Sequence, residues 1–191
     1  MGASLRRNFG NLFVFSGRDA RGTFWPYALL IFLLGMVANV VMIVPVMADM
    51  FGRVITYLQR HPEGFPEPAP GQVQALPPEL MPDFSAMLVP MAILGVATLF
   101  LYAAAVVRRL HDCDRTGWWA ALPLPFHALA LALTPLTLAN MTQPQLAGSP
   151  FSALLGLNSL AYWGTLILLI VFLASEGTPG PNRFEVAPAP R

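Results

Sequence analysis

The chain has 191 residues, of which 55% are hydrophobic and only 11% charged, and its mean hydropathy is +0.58. Soluble domains carry about 25% charged residues, so this composition, with apolar runs too long for a soluble domain to hide, is that of a membrane protein. The formal charge of +1 selects no class of partner, and a single cysteine, Cys113, excludes an intrachain disulfide or a cysteine-rich zinc site.

Residues 1–23 form an expected cytoplasmic leader that is amphipathic and aromatic. Arg18 and Arg21, three apart, share one side of a helix or turn entering the membrane interface, with Phe24 and Trp25 at the aromatic belt. Phe13 and Phe15 are suited to anchor this leader to the surface. Its bland reading is an interfacial anchor without specificity. The first apolar run, 24–47, exceeds the roughly 7–15 residues of a signal-peptide core, so it reads as a retained span. Asp49 to Gln59 prolong that helix beyond the membrane, with Phe51, Ile55 and Leu58 at helical spacing on one face. The external loop 48–85 contains Pro62, Pro66, Pro68, Pro70, Pro77, Pro78 and Pro82, which predicts an extended, poorly ordered middle.

A second span, 86–107, leads into Arg108-Arg109-Leu110-His111-Asp112-Cys113-Asp114-Arg115-Thr116-Gly117-Trp118-Trp119. If the helix continues through Asp112, that carboxylate lies four residues after Arg108 and three after Arg109, within reach of either. Gly117 permits the turn, and Trp118 and Trp119 suit the headgroup interface. The topological reading is that arginines hold the loop inside and tryptophans set depth; the sharper one is recognition of anionic headgroups or a partner. His111, Asp112, Cys113 and Asp114 are metal-ligating types, but no second cluster completes a tetrahedral set and the arginines repel a cation. No metal or other cofactor is expected.

The third span, 118–139, contains Pro123, Pro125 and Pro135, and a kinked helix is favoured over a re-entrant segment. The fourth, 151–174, carries Gly156, Asn158 and Gly164. Each span of about 20 residues can cross roughly 30 Å of hydrocarbon. Beyond it, 175–191 is a cytoplasmic tail rich in glycine and proline: Gly177 can cap the helix, and Pro179-Gly180 suits a type II turn ahead of Asn182 and Arg183. The tail lacks the lysine and helix of a phosphate-binding loop. The intramembrane polar residues of interest are Asn39, His127 and Asn158. His127 lies near mid-bilayer and is a functional candidate by position. A hydrogen bond from it to Asn39 or Asn158 is favoured over a proton relay.

The expected fold is all-α, a four-helix transmembrane bundle. Nine arginines fall on one side of the four spans with five acids, and only two, Arg53 and Arg60, fall on the other with five acids. The positive-inside rule then places both termini and the Arg109 loop in the cytoplasm. There is no internal repeat of the kind inverted-repeat transporters show.

The leader Phe15-Ser16-Gly17-Arg18 through Arg21 and Phe24-Trp25, the hairpin Arg108-Arg109-Leu110-His111-Asp112 with Arg115-Thr116-Gly117-Trp118-Trp119, and the tail Gly177-Thr178-Pro179-Gly180-Pro181-Asn182-Arg183 resemble together the bacterial inner-membrane family catalogued as domain of unknown function 805. The resemblance covers about 10–185. That family usually has glycine where Asp114 stands, serine at Thr116, and a tyrosine-glycine pair at Phe184-Glu185. It implies location and fold and supplies no activity.

Leader, hairpin and tail are expected to meet in one layer, Arg18, Arg21, Arg108, Arg109 and Arg115 facing Asp19, Asp112, Asp114 and tail carbonyls, with Asn182 and Arg183 folding back on His111 or Asp112. The favoured function is a non-enzymatic membrane scaffold or accessory protein. Its expected partners are the lipid bilayer with its anionic headgroups, a further copy of the chain or another membrane protein, and no nucleic acid. The alternatives are a transporter or channel component built on the proline-broken third span around His127, and an enzyme acting on lipid headgroups through Arg108, Arg109, His111 and Asp112, which lacks a nucleophile motif.

Overall fold

A computed structural model of the protein describes residues 1–67, 77–82, 85–141 and 150–184. The described residues are helical and contain no strand: α1 (Gly2–Gly10), α2 (Arg21–Arg60), α3 (Ser85–Asp112), α4 (Leu124–Met141) and α5 (Pro150–Ala174), with 3-10 turns at Pro78–Leu80 and Gly117–Ala121. The middle of the proline-rich loop, the α4–α5 connection and the residues from Glu185 onward lie outside the described residues.

α2 runs 40 residues, about 60 Å at 1.5 Å per residue, and so continues through Asp49–Gln59 as the spacing of Phe51, Ile55 and Leu58 predicts. It stops at Arg60 because His61 precedes Pro62; the proline ring drives its predecessor out of the helical region, and His61 has φ −124° and ψ 77°. Tyr57 is buried at this far end, stacked with His61 and with Phe65, and Leu80 of the Pro78–Leu80 turn, which packs on α2, is buried too.

Among the described residues three helices, α2, α3 and α5, are long and apolar enough to cross a membrane, where the sequence led us to expect four. The missing candidate is the stretch 118–139, which is not one helix. Pro123 and Pro125 remove two amide donors within three residues, a heavier break than the lone Pro45 of α2 or Pro90 of α3, which stay inside their helices, but one that a first turn tolerates. The chain therefore makes a 3-10 turn at Gly117–Ala121 and begins α4 only at Leu124, leaving 18 residues, about 27 Å.

The buried core is concentrated at one end of the bundle: Phe24, Tyr27, Ala28 and Ile31 of α2, Ala105, Val106 and Leu110 of α3, and Leu169 and Leu173 of α5. Ala28 and Ala105 let the backbones approach closely. Two tyrosines lace α2 to α3 reciprocally, Tyr27 Oη donating to the Leu101 carbonyl at 2.8 Å and Tyr102 Oη to the Ala28 carbonyl at 2.6 Å. Interhelical bonds of this kind contribute about 0.6 kcal/mol each. Away from this end the helices present Leu, Val, Ile and Phe outward. The start of α2 and the ends of α3 and α5 meet in a single layer, so the chain between α3 and α5 must cross the length of the bundle once and α5 brings it back.

Candidate functional site

The layer where those ends meet holds three arginines with almost no exposure: Arg18 at 2%, Arg108 at 2% and Arg109 at 0%. A buried cation requires a counter-charge and acceptors for its N–H groups. Two buried aspartates, Asp19 and Asp112, supply the charge.

Asp19 is the centre of the leader half. Its Oδ2 accepts from Arg108 Nε at 2.6 Å and its Oδ1 from Arg7 Nε at 2.7 Å. Arg108 also donates to the Asn11 and Val14 carbonyls at 2.8 and 2.6 Å and to Asn8 Oδ1 at 2.8 Å. Asn8 in turn donates to the Ser4 and Thr23 carbonyls at 3.0 and 3.1 Å, and Ser4 Oγ donates to Thr23 O at 2.5 Å, which clamps α1 onto the start of α2.

Asp112 is the centre of the tail half. Its Oδ1 accepts from Arg18 Nε and Nη2 at 3.2 and 3.0 Å, and its Oδ2 accepts from Arg109 Nη1. Arg18 reaches on to the carbonyls of Gly180 and Thr178, both at 2.7 Å. Arg109 donates to the Leu173 carbonyl at 2.9 Å and to that of Ser175. The cation thus caps the carbonyl end of α5, where the helix dipole is negative. The Thr178 amide donates back to the Asp112 carbonyl at 2.7 Å. Three buried arginines against two aspartates leave an excess positive charge, and backbone carbonyls offset it.

The tail is fastened at its other end as well. Asn182 Nδ2 donates to the His111 carbonyl at 2.8 Å, and its Oδ1 accepts from the Phe184 amide at 3.0 Å. Phe184 stacks on the His111 imidazole with centroids 3.9 Å apart, and His111 Nδ1 lies 3.2 Å from Gly17 O. Arg183 pairs with Asp114 at 3.2 Å and donates to its carbonyl at 2.7 Å. Asp114 has φ 54°, a left-handed conformation that favours glycine, the residue expected there from the family resemblance. Gly180 has φ +78°, as the second central position of a type II turn after Pro179 requires.

Leader, hairpin and tail therefore form one layer, with a changed list of partners. Arg108 pairs with Asp19 and not with Asp112. Arg21 reaches Glu176 at 3.1 Å, and Arg115 lies over the Phe172 ring at 3.7 Å without an acidic partner among the described residues. The Cys113 thiol points at the Phe172 carbonyl, 3.4 Å away, and burial pushes its pKa up despite nearby arginines. No group of histidine, cysteine, aspartate and glutamate among the described residues could hold a metal ion. Of the residues singled out for lipid or partner contact, Arg18, Arg108, Arg109 and Asp112 are interior. Arg21, Trp25, Trp118, Pro179 and Arg183 are exposed, and Arg115, His111, Gly117, Gly180 and Asn182 are half-buried.

Sequence reasoning missed Arg7, Asn8 and Ser4; the signal available was that Ser4 and Asn8 lie four apart and share one face of a helix. The hydrogen bond expected from His127 to Asn39 or Asn158 is not formed. Asn39 turns back on its own helix at the Gly35 carbonyl, 2.9 Å away, and Asn158 Nδ2 donates to the Phe126 carbonyl at 3.1 Å. His127 instead lies against the Tyr162 ring, centroids 5.6 Å apart.

Three apolar helices long enough to cross a bilayer, cinched at one end by a buried layer of arginine and aspartate, are the build of an α-helical membrane-embedded protein. The chain belongs to the family described as Protein of unknown function (DUF805), whose model matches residues 12–186. No curated protein and no solved structure matches it.

Proposed function

We propose that this protein is a non-enzymatic scaffold or accessory protein of the bacterial inner membrane, crossing it four times with both termini in the cytoplasm. One observation carries the scaffold reading. The guanidiniums of Arg18, Arg108 and Arg109 are committed to interior acceptors, so the charged motif works as a clasp that shapes a surface rather than as an open reactive centre. The four-crossing topology is supported by the shared layer of α2, α3 and α5 ends, which requires α4 to return the chain, and by nine arginines against two.

The surface shaped by the clasp carries Arg6, Arg21, Arg115 and Arg183 with Trp25 and Trp118, the last 84% exposed. Cations beside indoles at a membrane rim suit anionic headgroups or an acidic face of a membrane-protein partner. The test is purification in native lipid followed by mass spectrometry of retained lipids and proteins, wild type against Arg21→Gln with Arg183→Gln. Loss of anionic lipid or of a copurifying protein supports the reading; an unchanged bound set overturns it.

A second reading, a small transporter or channel component, draws on Asn158. Its Oδ1 is buried between α4 and α5 without a hydrogen-bond partner among the described residues, in the same region as His127. Water reaching His127, seen as rapid exchange of its ring protons in lipid nanodiscs, would favour this reading over the scaffold.

A further inference from the structure

α2 carries an apolar stripe that outlasts the membrane. Leu34, Val37, Val41, Val44, Ala48, Phe51, Ile55 and Leu58 follow one another at alternating spacings of three and four, and all eight are exposed. On the emergent part, where charges occupy the other side, this is the a and d pattern of a left-handed coiled coil; further in, Phe32, Leu33, Met36 and Val40 are exposed too and Pro45 lies inside the helix, so the spacing there selects no single face. Of the residues that bury in the core, Phe24, Ala28 and Ile31 lie on another face of the helix, and Tyr27, seven residues before Leu34, marks the inner end of the stripe. α2 is also the least covered of the three long helices, with 6% of its most apolar window buried against 17% in α3 and α5.

Lipid is sufficient cover for the inner half of the stripe but not for the outer half. Counted from Phe24, about 20 residues cross the hydrocarbon, so the helix emerges near Val44, and Ile55 lies about 16 Å further on at 1.5 Å per residue, beyond the headgroups. The Asp49–Arg53 pair, both side chains about half exposed, marks the same exit. On this emergent part the charges Asp49, Arg53 and Arg60 fall on the side opposite Phe51, Ile55 and Leu58 at 100° per residue. Phe51 is 62% and Ile55 57% exposed to water. Packing of Tyr57 with His61 and Phe65 holds the post in place without covering that face.

We propose that the stripe is a homodimer interface, covered by the same stripe of a second copy. Two copies inserted in one membrane share an orientation, so a two-fold axis along the bilayer normal sets their α2 helices parallel and in register, as heptad packing requires. The flanking positions Met47, Gly52, Val54 and Gln59 carry no charge to oppose a like partner, and Gly52 permits close approach. The interface is independent of what the rim at the other end binds.

The test uses full-length protein in native membranes in a Cys113→Ser background. Single cysteines replace Phe51, Ile55 or Leu58, and separately Arg53 or Arg60, before mild copper-phenanthroline oxidation. Disulfide-linked dimers at 51, 55 and 58, at least tenfold more abundant than at 53 and 60, are expected. In parallel, native mass spectrometry should read a dimer for wild type and a monomer for Ile55→Arg, a substitution at an exposed position. Crosslinking that ignores the face, a wild-type monomer, a dimer unmoved by Ile55→Arg, or a spin label at 55 relaxed by lipid-soluble oxygen but not by aqueous nickel would each overturn the proposal.

Discussion

Asp112 is the residue whose loss the structure makes most costly to the layer. Its two oxygens face Arg18 and Arg109, both nearly without exposure, and Asp112→Ala leaves two buried guanidiniums with carbonyls alone. Removing one partner from a buried ion pair costs about 3–5 kcal/mol, and two cations left without their anion place this case toward the upper end. At roughly 2–4 °C per kcal/mol for a chain of this size, the unfolding midpoint in detergent should fall by about 6–20 °C, followed by fluorescence of the four tryptophans. Asp112→Asn keeps one acceptor and should lose less. The control is Asp49→Asn, which breaks the exposed Asp49–Arg53 pair at 2.7 Å and should cost no more than about 0.5 kcal/mol. If Asp112→Ala moved the midpoint no further than Asp49→Asn, the claim that this layer is a buried, paired core would be refuted.

Three further outcomes follow from the same geometry. A Cβ at residue 177 would lie 2.2 Å from Asp112 Oδ2, so Gly177→Ala should lower stability by about 1–3 kcal/mol in the same melt. Gly117→Ala, which meets only the Val107 side chain at 2.9 Å, should lower it less. At Asp114, with φ 54°, a change to Val should cost about 1–2 kcal/mol, while Gly should stay within about 1 kcal/mol because relief of strain offsets the lost exposed pair with Arg183. Cys113, its pKa raised by burial, should alkylate more slowly than a free thiol, with its rate rising only at more alkaline pH. Linked to folding, this shift costs nothing below the ordinary thiol value and removes stability as pH climbs above it, because the unfolded thiol ionises first.

Local spacing made much of the fold and site legible. Apolar run lengths located α2, α3 and α5, and the separation of three between Arg109 and Asp112 identified a pair the structure contains. The turn at Pro179-Gly180 was readable because glycine there needs a positive φ. Partners remote in the chain were not readable in the same way. Arg108 had Asp112 four residues ahead and Asp19 89 residues behind, and only the packing of α1 on α2 and α3 decides between them. Gly177 read as a helix cap; its second reason, the carboxylate pressed against its α-carbon, is tertiary. The late start of α4 was present in Pro123 and Pro125, but a count of apolar residues overrides that signal unless the proline positions are weighed first.

The carbonyls that Arg18 and Arg109 use beside the Asp112 carboxylate come from residues 173–180, the last turn of α5 and the segment after it. During synthesis the leader and hairpin reach the membrane long before that stretch exists. Until it arrives, Arg18 and Arg109 share only the Asp112 carboxylate, and the half-built chain shows a basic face that the assembled layer conceals. The clasp thereby closes only once α5 and the residues that follow it have joined the leader and hairpin.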